Sequence, residues 1–152
     1  MRSCATAIFF MLLFCVVLQA QDAPKKQFTP AAFDAQAASR LLLKFSEALQ
    51  GHSQKQFLAL FNLDRMKDGA LFKQQINSFF SQAESIRVHL NLVDTSLEGD
   101  KANISVDAEM EAQPGNGGAP TRRNERLNLV VANAGNNWKV VEVQPRSFFS
   151  LQ

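Results

Sequence analysis

The hydrophobic period of this chain changes once, at Ser85, and that change limits its fold more than any other feature. Before it, apolar residues recur every three or four positions, the spacing of helices that bury one stripe. After it they recur every second position, as in strands with one buried face. Helices that all precede the strands cannot build β-α-β units. They give an α+β layer, in which helices cover one face of an antiparallel sheet.

Three helices are predicted. Thr29 is placed to cap the first, with Pro30 at its first position and Phe28 and Phe33 as a hydrophobic staple. Its stripe is Ala38, Leu41, Leu42, Phe45 and Leu49, and Gly51 ends it. Ser53 and Gln56 have capping-box spacing for a second helix, whose apolar face is Phe57, Leu60, Phe61 and Leu63. Asp68 is available to cap a third, which carries Phe72, Ile76, Phe79, Phe80 and Ala83. So many phenylalanines on one stripe point first to packing against a sheet, and second to a ligand pocket.

Four strands follow. Ile86, Val88, Leu90 and Leu92 face one way, and Arg87, His89 and Asn91 the other. Beyond a turn at Glu98-Gly99-Asp100, Ala102, Ile104, Val106, Ala108 and Met110 face in, while Asn103, Ser105, Asp107, Glu109 and Glu111 face out. Residues 112–120 hold three glycines and two prolines and read as a long mobile loop. The third strand covers about 122–132 with Leu127, Leu129 and Val131 inward, and the last runs from Trp138 to Val143. The expected fold is three N-terminal helices packed on a curved, mainly four-stranded antiparallel sheet.

The charged outer positions look like an active site until the strands are registered. Leu90 opposite Ala108 sets His89 against Glu109 and Arg87 against Glu111. Met110 opposite Leu127 then sets Glu111 against Arg126. Such cross-strand pairs contribute about 0.2–1 kcal/mol each and fix register, so a structural role accounts for them.

Residues 1–20 read as a secretory signal: Arg2, an apolar run from Ala5 to Leu18 broken by Thr6, and a small residue at Ala20. The run is shorter than the roughly 20 residues a membrane-spanning helix needs, so no stable membrane insertion is expected after cleavage. Residues 21–28 form a flexible leader, and 29–149 one domain. Both cysteines, Cys4 and Cys15, fall in the signal, which leaves the exported chain without disulfides. An ordinary core suffices at this size. The expected compartment is the periplasm or the exterior of a bacterium.

Several chemistries are disfavoured. Without Arg2 the basic and acidic side chains nearly balance, and only Lys25-Lys26 and Arg122-Arg123 cluster, so no nucleic-acid footprint is present. His52 and His89 lack partners at ligand spacing, so no metal site is implied. There is no nucleophile elbow and no phosphate-cradling glycine loop, and no cofactor is called for.

The last strand leaves two readings open. If Trp138 and Val140 join the core, Glu142 either sits at the exposed end of the strand or points toward the mouth of the helix-covered interior, where a sheltered carboxylate acts as a general acid or base. If instead Val141 and Val143 lie outward with Val93 and Val130, they form an apolar strip suited to a partner, extended by Phe148, Phe149 and Leu151.

The order of elements, ending in Asn137-Trp138-Lys139-Val140-Val141-Glu142-Val143, resembles the nuclear transport factor 2-like superfamily, which includes the SnoaL-like proteins. The resemblance spans about Thr29 to Phe149. It implies a cystatin-like cone, a curved sheet around a long helix, with an apolar cavity opening at one end. Phe45, Phe61, Phe80, Trp138 and Glu142 are the residues placed to line it. Members include isomerases, dehydratases and hydrolases as well as binding and assembly domains, so fold alone selects no activity. The catalytic members it resembles use an acidic or histidine base with tyrosine hydroxyls, and this chain has no tyrosine. Two functions follow. One is an exported non-enzymatic module that binds a protein or an apolar small molecule, as a homodimer through the outer sheet face. The other is a small-molecule lyase, isomerase or hydrolase using Glu142, with Asp34 or Asp64 behind it.

Overall fold

The computed structural model describes residues 33–135 and 137–151. The expected signal, the leader and the Thr29–Pro30 helix start lie outside those residues. Helix α1 is Ala35–Gln50. Phe33 and Asp34 are not helical, and Asp34 Oδ1 accepts the Ala37 N–H at 2.7 Å. The cap is therefore Asp34 rather than Thr29, and a carboxylate there stabilises the helix start by about 1 kcal/mol. The buried stripe is the expected one, with Ala48 added.

Helix α2 is short, Gln54–Leu58, and ends well before Leu63. Instead of continuing the helix, the chain turns at Leu60 and Phe61 forms a single parallel bridge with Val140. Val140 N–H donates to Leu60 O at 2.9 Å and Asn62 N–H donates to Val140 O at 2.8 Å. These bonds satisfy backbone groups on a sheet edge that would otherwise lack partners. Helix α3 is Gly69–Gln82. Asp68 sits at its cap position in a left-handed conformation (φ 56°) and makes no side-chain cap bond. Gly69 is obligatory, because a Cβ there would lie 2.0 Å from Leu63 O.

The strands are β1 Ala83–Glu98, β2 Lys101–Pro114, β3 Thr121–Ala134 and β4 Asn137–Gln144, in spatial order β1-β2-β3-β4. The β1–β2 register is as expected, with Leu90 opposite Ala108, His89 opposite Glu109 and Arg87 opposite Glu111. The β2–β3 register is not. Met110 lies opposite Arg123 rather than Leu127. The cause is the hairpin end: both strands continue through Ala112–Thr121, so the loop is 115–120 and shorter than expected. Gln113 Nε2 donates to Gly118 O at 2.8 Å, and Asn116 Oδ1 accepts the Gly118 N–H at 3.0 Å, which ties that loop to itself.

Two bulges reset the inward alternation. One at Val93 makes Thr95 and Leu97 the inner-face residues of the far end of β1. The other, at Val141, sets Val140 opposite Val131 but Glu142 opposite Val130. A short 3₁₀ helix, Arg146–Phe149, follows β4 and buries Phe148 and Phe149. The sheet curls around α1: Phe33, at its N-terminus, stacks 5.0 Å from Trp138 of β4 and shares a groove with Leu92 and Leu97 of β1. The result is three helices on a curved four-stranded antiparallel sheet.

Candidate functional site

The space between helices and sheet is occupied by rings. Phe57 of α2 lies at its centre, with centroids 4.7 Å from Phe45, 5.1 Å from Phe61, 5.8 Å from Phe80 and 5.6 Å from Phe149. Phe72 closes the cluster 4.9 Å from Phe61 and 6.0 Å from Phe149. Edge-to-face and tilted contacts at these separations add to the burial of each ring. Phe45, Phe61 and Phe80, expected to line a cavity, pack in this cluster and fill the middle of the cone. Phe148 and Phe149, expected to extend an outer strip, plug the cone from its C-terminal side; a turn after Pro145 carries them inward.

Trp138 is half-buried. It lines a groove of about 420 Å³ with Arg40, Leu60 and Lys139, at the opposite end of α1 from Gly51. Lys139 Nζ donates to Ala59 O.

Glu142 does not reach the interior. Trp138 and Val140 do take the inner face, but the Val141 bulge turns the next side chain outward, and Glu142 is exposed. The same bulge corrects the valine strip. Val143 lies inward opposite Leu129 and is fully buried, while Val130 and Val141 are half-buried and Val93 is 46% exposed on a distant strand. Asp34 is committed to its cap, and Asp64 is exposed in the turn after the Phe61 bridge.

One inner-face polar group went unnoticed in the sequence. Arg123 and Glu125 project from β3 on the same side as Leu127, Leu129 and Val131. Arg123 Nη1 lies 3.5 Å from Glu125 Oε1, and their side chains are only 18% and 25% exposed. Arg123 Nε also donates to Ser150 O at 3.1 Å, so the C-terminal segment lies across the pair. Glu125 Oε2 is buried and accepts no hydrogen bond. Strand parity was the available signal, since residues 123 and 125 share the parity of Leu127.

Gln75 of α3 holds the same segment from the other side, donating through Nε2 to Arg146 O at 2.7 Å and Phe149 O at 3.2 Å. On the outer face, Arg122 Nε donates to Glu111 Oε2 at 2.7 Å, and Arg126 pairs with Asp107 at 2.7 Å. Arg87 stands 3.9 Å from Glu111. Arg87, Glu111 and Arg122, with His89 and Glu109, border a shallow groove of about 500 Å³. Among the described residues no three histidine, cysteine, aspartate or glutamate side chains come together as metal ligands. Nor is any helix among them long and apolar enough to cross a membrane.

No family model and no curated protein matches the sequence. Solved structures do. A proposed aromatic ring hydroxylase from Novosphingobium aromaticivorans superposes with a TM-score of 0.63 at 18% identity, covering 71% of this chain and 84% of that one. A nuclear transport factor 2-like superfamily protein from Salmonella enterica gives a TM-score of 0.63 at 13% identity, covering 71% and 86%. A proposed dehydratase of the nuclear transport factor 2-like family from Streptomyces avermitilis gives 0.59 at 13%, covering 71% and 91%. The fold is that of the nuclear transport factor 2-like cone.

Proposed function

We propose that this chain is an exported, non-enzymatic interaction module that binds a protein partner at its surface. The observation that carries the reading is the interior: where a cone of this kind would hold a ligand, Phe45, Phe57, Phe61, Phe72, Phe80 and Phe149 hold one another. A ligand site needs apolar walls together with a few convergent polar groups and room between them. With the interior occupied, recognition falls to the surface. Export rests on the composition of residues 1–20. Native mass spectrometry of the protein purified from its own host tests the reading. The expected spectrum holds the bare chain or a protein complex, and a small-molecule adduct at one per chain would overturn it.

One observation favours a second reading, a lyase, isomerase or hydrolase with a carboxylate in the cone. Glu125 lies on the inner face with an oxygen that accepts nothing, and leaving such an atom unsatisfied costs about 1–3 kcal/mol. A hydroxyl-bearing ligand entering beside Ser150 would supply the missing donor. The dehydratase among the structural relatives is compatible with that chemistry. In this reading Glu125 takes the role expected of Glu142. An adduct carried by the native protein but absent from Glu125→Gln would support it.

A further inference from the structure

The two edges of the sheet are finished differently. Residues 60–62 pair with β4 at Val140, whereas among the described residues nothing pairs with the outer edge of β1. A bare edge presents a row of N–H and C=O groups ready to pair with another strand. Four large apolar side chains stand exposed among the described residues, and three of them, Leu43, Val93 and Leu97, lie along this edge. Leu43 borders a groove of about 480 Å³ between α1 and β1. Val93 and Leu97 border a second, of about 420 Å³, running toward Phe33. Leu92 lines both, so together they make one continuous groove beside the edge, in which Leu43, Val93 and Leu97 alternate with polar groups such as Ser46, Gln50 and Asp94.

We propose that β1 pairs antiparallel with β1 of a second copy of this chain, about a two-fold axis at Leu90, joining two sheets into one of eight strands. The register follows from side-chain alternation and charge. Ile86, Val88, Leu90 and Leu92 face inward before the bulge, and Thr95 and Leu97 after it. Leu90 against Leu90 puts Asn91 against His89. The extra residue of the bulge lets Leu92 and Val93 together oppose Val88. Asp94 then meets Arg87, and Thr95 meets Ile86. Every pair shares a face, and the symmetry makes the Arg87–Asp94 pair twice. A two-fold contact must be self-complementary in this sense. Arg87 is free to turn toward a neighbour, since its side chain is 83% exposed and its contact with Glu111 is long at 3.9 Å. The proposal does not depend on whether the interior takes a ligand.

Sedimentation equilibrium of the purified protein over a range of concentrations tests it, with circular dichroism confirming that each variant is folded. The native chain is expected to have the mass of two copies. Arg87→Asp and Asp94→Arg each place like charges opposite one another at both pairs, and each should weaken the dimer about tenfold or more. The double variant Arg87→Asp/Asp94→Arg restores opposite charges and should recover it. Val130→Lys, on the outer face, should leave it unchanged. A monomer at every concentration would overturn the proposal. So would a dimer indifferent to both single reversals, or a double variant as weak as the singles. A dimer broken by Val130→Lys would move the contact to the outer face and overturn it as well.

Discussion

Along β2 the side chains that point toward the helices, from Ala102 to Ala112, are apolar and buried, whereas their immediate neighbours Asn103, Ser105, Asp107, Glu109 and Glu111 carry polar groups into solvent. The inner face holds the molecule together by area removed from water and by close ring contacts, which are large terms. The outer face is held by ion pairs between half-exposed groups, each worth a fraction of a kcal/mol. Stability and register thus reside on opposite sides of the same strands, and a change of similar size should register very differently on each.

Phe57→Ala should give the largest effect, because it empties the centre of the ring cluster. A loss of about 3–5 kcal/mol is expected in urea denaturation, and a loss below about 1 kcal/mol would mean that the rings are loosely packed. Two valines in β4 sharpen the comparison at close range. Val143→Ala should cost about 2 kcal/mol and Val141→Ala less than about 0.5 kcal/mol. Equal losses would mean that the bulge does not lie at Val141. On the outer face, Arg126→Ala should cost about 0.2–1 kcal/mol, shrinking as salt is added because the pair with Asp107 is half-exposed. Glu142→Gln should fall within about 0.5 kcal/mol of the native chain. A clear stabilisation or destabilisation there would show that Glu142 has a partner its exposed position does not suggest.

Much of the inner face was legible because period-two patterning is unambiguous once one face is buried: the inward residues expected of β2 and β3 are all buried. The β1–β2 register before Val93 was legible for the same reason, since an inward Leu90 must meet an inward Ala108. The β2–β3 register was not. A displacement of four residues preserves every inward and outward assignment, and it merely exchanges a pair between Arg126 and Glu111 for pairs of Arg126 with Asp107 and of Arg122 with Glu111. Charge complementarity favours the observed register by one pair, but a loop read over 112–120 moves the strand ends apart and hides it. The bulges were equally hidden, since Val93 and Val141 are ordinary strand residues and nothing in their identity marks an extra position. An outward Val143, and a Glu142 at the mouth of the interior rather than at the exposed end of the strand, both ignore the bulge. The end of α2 was missed because Leu60 and Phe61 continue a helical spacing, while the open backbone of β4 decides their conformation.

The parallel contact at Phe61 is one residue long, yet it governs how far strand addition can proceed. A sheet bare on both sides accepts neighbours on both sides, and repeated pairing yields a filament. Here β4 is already engaged by its own chain. A two-fold pair at β1 uses both bare edges, and the bridge at Val140 breaks the row of groups that the β4 edges would offer to further strands. Phe61 and its neighbours work as a stop codon for polymerisation.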